Sequence, residues 1–134
     1  MKYLSGLYAL NLPCNLETVG DWHTSALNWN KVTLNDSKSS IFEDYGIEKE
    51  REIPEHKEKY NIANHIRAIL DLLSAKKFDL ISNFRKEYIC TDIYDEEIFK
   101  QVSRLLPDDD INDFMNKNYG RMWRKWIGEK SMDK

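Results

Sequence analysis

The chain is short of cysteine, proline and glycine: two, three and five in 134 residues. Two cysteines allow at most one disulfide, and a 15.9 kDa chain that is 41% hydrophobic can bury a core without it. A reducing, cytoplasmic setting is therefore expected. Nor is there an excess of positive charge. Twenty Lys and Arg face 23 Asp and Glu, for a formal charge of −3, which argues against a generic nucleic-acid coat. No apolar run approaches the ~18 residues needed to span a bilayer. The N-terminal run through Leu7 and Leu10 is interrupted by Asn11, and Pro13 precedes Cys14, so neither a secretory signal nor a lipoprotein cleavage site is expected. Internal repeats, low-complexity tracts and the spacings of Walker, Rossmann, HExxH and zinc-finger motifs are missing as well. No cofactor and no resident metal is expected on these grounds.

What remains is the composition of one ordinary domain covering residues 1–134, with its halves written differently. Residues 1–59 read as strand and loop. Leu4, Tyr8, Leu10 and Leu12 alternate with Tyr3, Leu7 and Ala9, which predicts a strand buried on both faces and ended by Pro13. Asp21 is placed to cap a short helical turn through Trp22, Ala26 and Trp29, and Val32–Leu34 reads as a second short strand. Residues 43–59, the most polar stretch, read as an exposed loop with a short extended piece before Pro54.

From residue 60 to 128 the pattern is helical. Ile62, Ile66, Ile69, Leu70 and Leu73 form one stripe, with Asn61 as the expected cap and Arg67 one turn before Asp71. Further helices are predicted over 78–88 and 95–106, the latter stopped by Pro107. A last helix begins at Asp108–Asp110, where carboxylates suit the dipole, and Gly120 weakens its middle. Residues 129–134 read as a frayed tail. The expected fold is α+β: a short, aromatic-rich β-containing third followed by a bundle of about four helices.

Four groups of residues carry the functional reading. Asp21 and His23 are metal-ligand types at strand spacing, and His65 or Glu43 would have to complete a coordination sphere that no local motif supplies. His65, on a small-and-polar stripe with Asn61, Asn64 and Ala68, is the natural proton-transfer group if that stripe lines a pocket. Neither Cys14 nor Cys90 has a basic neighbour in sequence, so a Cys–His dyad is not expected. The segment Arg121-Met122-Trp123-Arg124-Lys125-Trp126 interleaves basic and aromatic side chains, which suits a protein interface or a single nucleic-acid strand. Its bland alternative has Met122 and Trp126 packed inward, with Trp123 the residue hardest for one core to cover. Finally, Glu87 to Asp113 holds nine carboxylates against Lys100 and Arg104, a net −7 that includes Glu96, Glu97, Asp108 and Asp109.

The stretches Tyr3–Asn11, Gly20–His23, Tyr60–Ala68 and the Trp-containing last helix together resemble a group of small uncharacterised bacterial proteins encoded near toxin–antitoxin and abortive-infection genes. The resemblance implies a cytoplasmic antitoxin or accessory subunit that binds a partner, such as a toxin. With no catalytic signature in the residues themselves, the expected function is non-enzymatic binding of a protein partner, with no membrane and no nucleic acid as main target. Trp123, Arg124 and Arg121 are the expected anchors, and Glu96, Glu97, Asp108 and Asp109 the expected complementary charge. The alternative is a small metal-assisted hydrolase or nuclease using Asp21, His23, His65 and Glu43, in a pocket between the N-terminal loops and helix 61–73.

Overall fold

The computed structural model describes residues 1–12, 14–16, 32–53 and 58–132, with Ser131 and Met132 described by backbone alone. Their architecture is α+β, with six helices and two small antiparallel sheets among the described residues. Strand β1 (Lys2–Tyr3) pairs with β2 (Asn35–Asp36), Lys2 opposite Asp36. Between them comes α1 (Gly6–Leu10), where a buried strand was expected. Gly6 lies at φ +61°, a left-handed turn that ends the extended run, and Leu7 and Leu10 then share a face at helical spacing. A short apolar run fits both periods, and here the helical one wins.

In the charged stretch after residue 43, the extended piece expected before Pro54 is present but is a full paired strand, not part of a loop. Strand β3 (Ile47–Glu52) pairs with β4 (Lys59–Ala63), Ile47 opposite Ala63 and Glu52 opposite Lys59, with an irregularity between Glu48 and Arg51. Glu50, at φ +50°, lies within that irregularity. The first sheet is tied to the second through Leu4, whose N–H donates to the Asn61 carbonyl (2.8 Å) and whose carbonyl accepts from Ala63 (2.9 Å). Because residues 59–63 are strand, α2 is shorter than expected: it runs His65–Ser74 and is capped by Asn64, whose side chain accepts from the Arg67 N–H. Asn61 instead spans strands, donating to the Lys2 carbonyl and accepting from the Glu50 N–H.

The helix expected over 78–88 is broken into a single 3-10 turn (Phe78–Leu80) and a short α3 (Phe84–Glu87). Helix α4 spans Asp95–Val102 and tightens into a 3-10 turn at Ser103–Leu105 before Pro107. The predicted last helix is two, α5 (Asp109–Tyr119) and α6 (Arg121–Met132), parted by Gly120 at φ +59°. The break resets the rotational phase. Met122 therefore turns outward and Trp123 becomes fully buried, the reverse of a continuous helix. Helix α6 also continues through Met132, where a frayed tail was expected. One core gathers Leu4, Leu10 and Phe42 with Ile66, Leu70 and Leu73 of α2, Phe84, Phe99, Phe114 and Trp123. No helix among the described residues is long and apolar enough to cross a membrane.

Candidate functional site

Two places concentrate chemistry: a groove between helices and a polar system around α2. The groove, about 670 Å³, is walled by the end of α4, the Ser103–Leu105 turn and its continuation, the start of α5 and the last turns of α6. Leu106, Pro107, Trp126 and Ile127 supply apolar surface. Lys100 and Lys130 stand at its rim, with Asp108, Asp109 and Asn112 toward one end. The half-buried Trp126 indole is fixed from below, stacking on Trp123 at 6.1 Å and lying 5.9 Å from the Phe99 ring. The Lys130 ammonium sits 5.4 Å from the centre of the same ring, within cation–π range. Trp123 itself is held by Phe99 (5.4 Å) and by its indole N–H donating to the Asn112 side chain at 2.9 Å.

This arrangement corrects the expected anchors. Trp123, at 0% exposure, offers nothing to a partner or a base, because the phase reset at Gly120 turns it into the core. Arg121 and Arg124 are exposed on α6, but without Trp123 between them the stacking platform for a nucleic-acid strand loses its central ring. Of the acidic residues, Glu96 is exposed, while Glu97 accepts the Tyr45 hydroxyl. Asp108 is committed to the fold: its carboxylate accepts the Ile111 N–H at 3.1 Å, capping α5, and pairs with Lys76 at 3.1 Å. Those two partners hold Asp108 below the usual aspartate value. Asp109 is exposed and borders the groove.

The polar system centres on Arg67, fully buried on α2. Its guanidinium donates to Asp71 (3.0 Å), to the Glu43 and Tyr45 carbonyls (2.7 and 2.6 Å) and to the Tyr3 hydroxyl (2.9 Å). Tyr3 and Ser5 in turn donate to Asp71. Burial and the Asp71 carboxylate push the Tyr3 phenol up to about 12, so it remains a donor. The backbone comes unusually close here, since a Cβ on Gly46 would sit 2.7 Å from that of Arg67. All these partners are internal, and the network fastens loop 43–46 and the N-terminus to α2.

Of the four hydrolase residues, two, His65 and Glu43, lie among the described residues. His65 is fully buried, its Nε2 2.6 Å from the Leu12 carbonyl. Glu43 is exposed, and its contribution to the polar system is its carbonyl. Asp21 and His23 lie outside the described residues, as does the turn predicted from Asp21 to Trp29. Among the described residues no three His, Cys, Asp or Glu side chains could together hold a metal ion. Burial lowers the His65 pKa, but Cys14, the Leu12 carbonyl and Glu48 beside it raise it, for a net upward shift; that these groups meet is a matter of the fold, which neighbours in sequence cannot reveal. The groove was equally hidden, because Lys100, Leu106, Trp126 and Lys130 converge only once Gly120 has divided the last helix. No protein-family model, no curated protein and no solved structure matches the chain.

Proposed function

We propose that this protein acts by binding another protein, without catalysis, and that the groove between α4, α5 and α6 is where it does so. The role is that of an antitoxin-like or accessory subunit. The observation that carries this reading is the Trp126 indole, half-covered and immobilised by rings beneath it, opening into an apolar groove with a lysine at the rim on α4 and on α6. A rigid aromatic in a concave apolar site surrounded by polar side chains is the usual form of a binding hot spot. Asp108 is balanced by Lys76, which leaves Lys100 and Lys130 against Asp109 at the groove. The fitting occupant is a segment that inserts an apolar side chain and carries carboxylates beside it. Asp109 at the end of the groove, and Glu96 outside it, serve to repel the wrong partners.

The test uses Lys100→Glu/Lys130→Glu, two exposed positions whose reversal spares the core. The tagged protein and this variant are each used to capture proteins from the native host, and the retained proteins are quantified by mass spectrometry. A protein held in stoichiometric amount by the parent should be lost from the variant, with affinity falling about tenfold or more, ~1.4 kcal/mol. Equal capture by both, with the variant folded by circular dichroism, would move the interface elsewhere.

A further inference from the structure

The groove between α4, α5 and α6 asks for an apolar side chain with carboxylates beside it, and the chain itself presents one. Ile93 is 73% exposed, the most exposed large apolar side chain among the described residues, the next being Ile41 at 48%. Single exposed apolar residues are ordinary, but this one is held in place. It stands on the turn that leads into α4, where the Asp95 N–H donates to the Asp92 carbonyl at 3.1 Å and the Ile93 N–H donates to the Thr91 hydroxyl at 3.4 Å. The neighbouring Tyr94 hydroxyl donates to the Leu16 carbonyl at 2.8 Å, which fastens the turn to a distant part of the chain. Asp92 and Glu96, both exposed, flank the isoleucine in sequence. An apolar knob already fixed before contact loses little freedom on docking.

We propose that Ile93 of one copy of this chain docks in the groove of a second copy, with Asp92 and Glu96 set against Lys100 and Lys130 at the rim. The proposal rests on the reading of the groove as a protein-binding site and names an occupant for it. Opposite charge supports the match, since the rim lysines of one copy meet the carboxylates that accompany the knob of the other. Knob and groove lie at opposite ends of α4, an eight-residue helix of ~12 Å, so one chain cannot close the contact on itself. The joint is therefore heterologous. Each copy offers its knob to one neighbour and its groove to another, and the assembly either closes into a ring or grows. One turn in one groove is a small contact, below the ~1,200 Å² of a stable interface, so association is weak and depends on concentration. It also covers Trp126, and a different partner must displace the second copy to reach that ring.

Analytical ultracentrifugation of the full chain, from about 10 μM to about 1 mM at low salt, spans the range of such weak contacts. Two variants accompany the parent, Ile93→Asp and Lys100→Glu/Lys130→Glu, all at exposed positions, with circular dichroism to verify that each is folded. The mean mass of the parent should rise with concentration above that of one chain, and each variant should associate about tenfold more weakly or less. An equimolar mixture of the two variants decides the geometry. The first keeps its groove and the second its knob, so one joint can form, and the mixture should give a single 1:1 pair. A parent that stays monomeric throughout, association undiminished in either variant, or a mixture that yields no pair would each overturn the proposal. The host capture is read separately. A monomeric parent that retains a host protein through its lysines ends self-docking alone, whereas equal capture by parent and lysine variant, beside a mixture that pairs, ends the host-partner reading alone.

Discussion

Around Arg67 the fold is held by directed polar bonds, and around Phe99 it is held by rings. The guanidinium of Arg67 reaches four acceptors from three parts of the chain, and Tyr3 and Ser5 close the loop through Asp71. In the helical half, Phe99 meets Tyr119 edge-on at 4.7 Å and Trp123 at 5.4 Å, and Phe84 lies 5.9 Å from Phe114. The first arrangement fixes loops, which have no regular ladder of their own to satisfy their carbonyls. The second fixes helices, whose backbones are already paired and which need only complementary volume. A polar hub is specified atom by atom, whereas a ring cluster is specified by shape. The two regions should therefore differ sharply in what counts as a conservative change.

The widest gap is expected between Arg67→Lys and Met115→Leu, each fully buried and each mild on paper. Lysine keeps the charge but has one ammonium in place of a planar fork, so it cannot serve Asp71, Tyr3 and both carbonyls. Stranding buried acceptors should cost ~2–4 kcal/mol of unfolding free energy. Met115→Leu conserves volume in the core and should cost less than about 1.5 kcal/mol. Urea unfolding of the two variants beside the parent checks this. Equal losses would mean that the hub is no more exacting than the cluster.

The same distinction explains what could be read from the sequence. The ring half was largely legible: the stripes Ile66, Ile69, Leu70, Leu73 and Ile98, Phe99, Val102 are buried as their spacing predicts. It failed at Gly120, because a glycine marks permission to bend without saying whether the chain takes it, and everything after it shifted phase. The polar half was poorly legible. Arg67 and Asp71 at i, i+4 do pair, but the spacing is identical to that of a surface ion pair, and only tertiary contacts bury it. In β3 the charges at Glu48, Lys49, Glu50, Arg51 and Glu52 concealed a strand, since an exposed hairpin need bury little. The groove and the surroundings of His65 depend on chain segments far apart in sequence, and no local pattern announces either.

A narrower comparison sets the two asparagines at the start of α2 against each other. Asn61 was the expected cap; Asn64 is the actual one, its oxygen 2.8 Å from the Arg67 N–H. Asn64→Ala should cost ~1 kcal/mol, the usual value for losing an N-cap acceptor. Asn64→Asp, which keeps an oxygen in place, should recover most of it. Thermal unfolding of both variants measures the difference. If aspartate fares no better than alanine, then the close approach of Asn64 to Gly46, rather than its capping bond, is what matters at that position.

The smallest effect expected lies on the helical side, where one polar contact is exposed instead of buried. Asp108 caps α5 and pairs with Lys76, and both interactions hold its carboxyl below the ordinary aspartate value of ~3.9. A group depressed on folding contributes stability that is fully present above its unfolded pKa and is lost as pH falls through its folded one. Asp108→Asn retains an oxygen for the cap but has no charge to lose. The parent should therefore exceed Asp108→Asn in melting temperature at pH 7, and the gap should close as the solution is acidified below pH 4. Asp36 is also depressed, through the Lys38 N–H and the N-terminal ammonium, but it is common to both proteins and drops out of the difference. Salt should narrow the gap at pH 7 as well, because Lys76 is exposed and its attraction is screened. A gap that stays constant from pH 7 to pH 3 would show that the Asp108 charge adds nothing to its cap, and that the helical half owes its stability to packing alone.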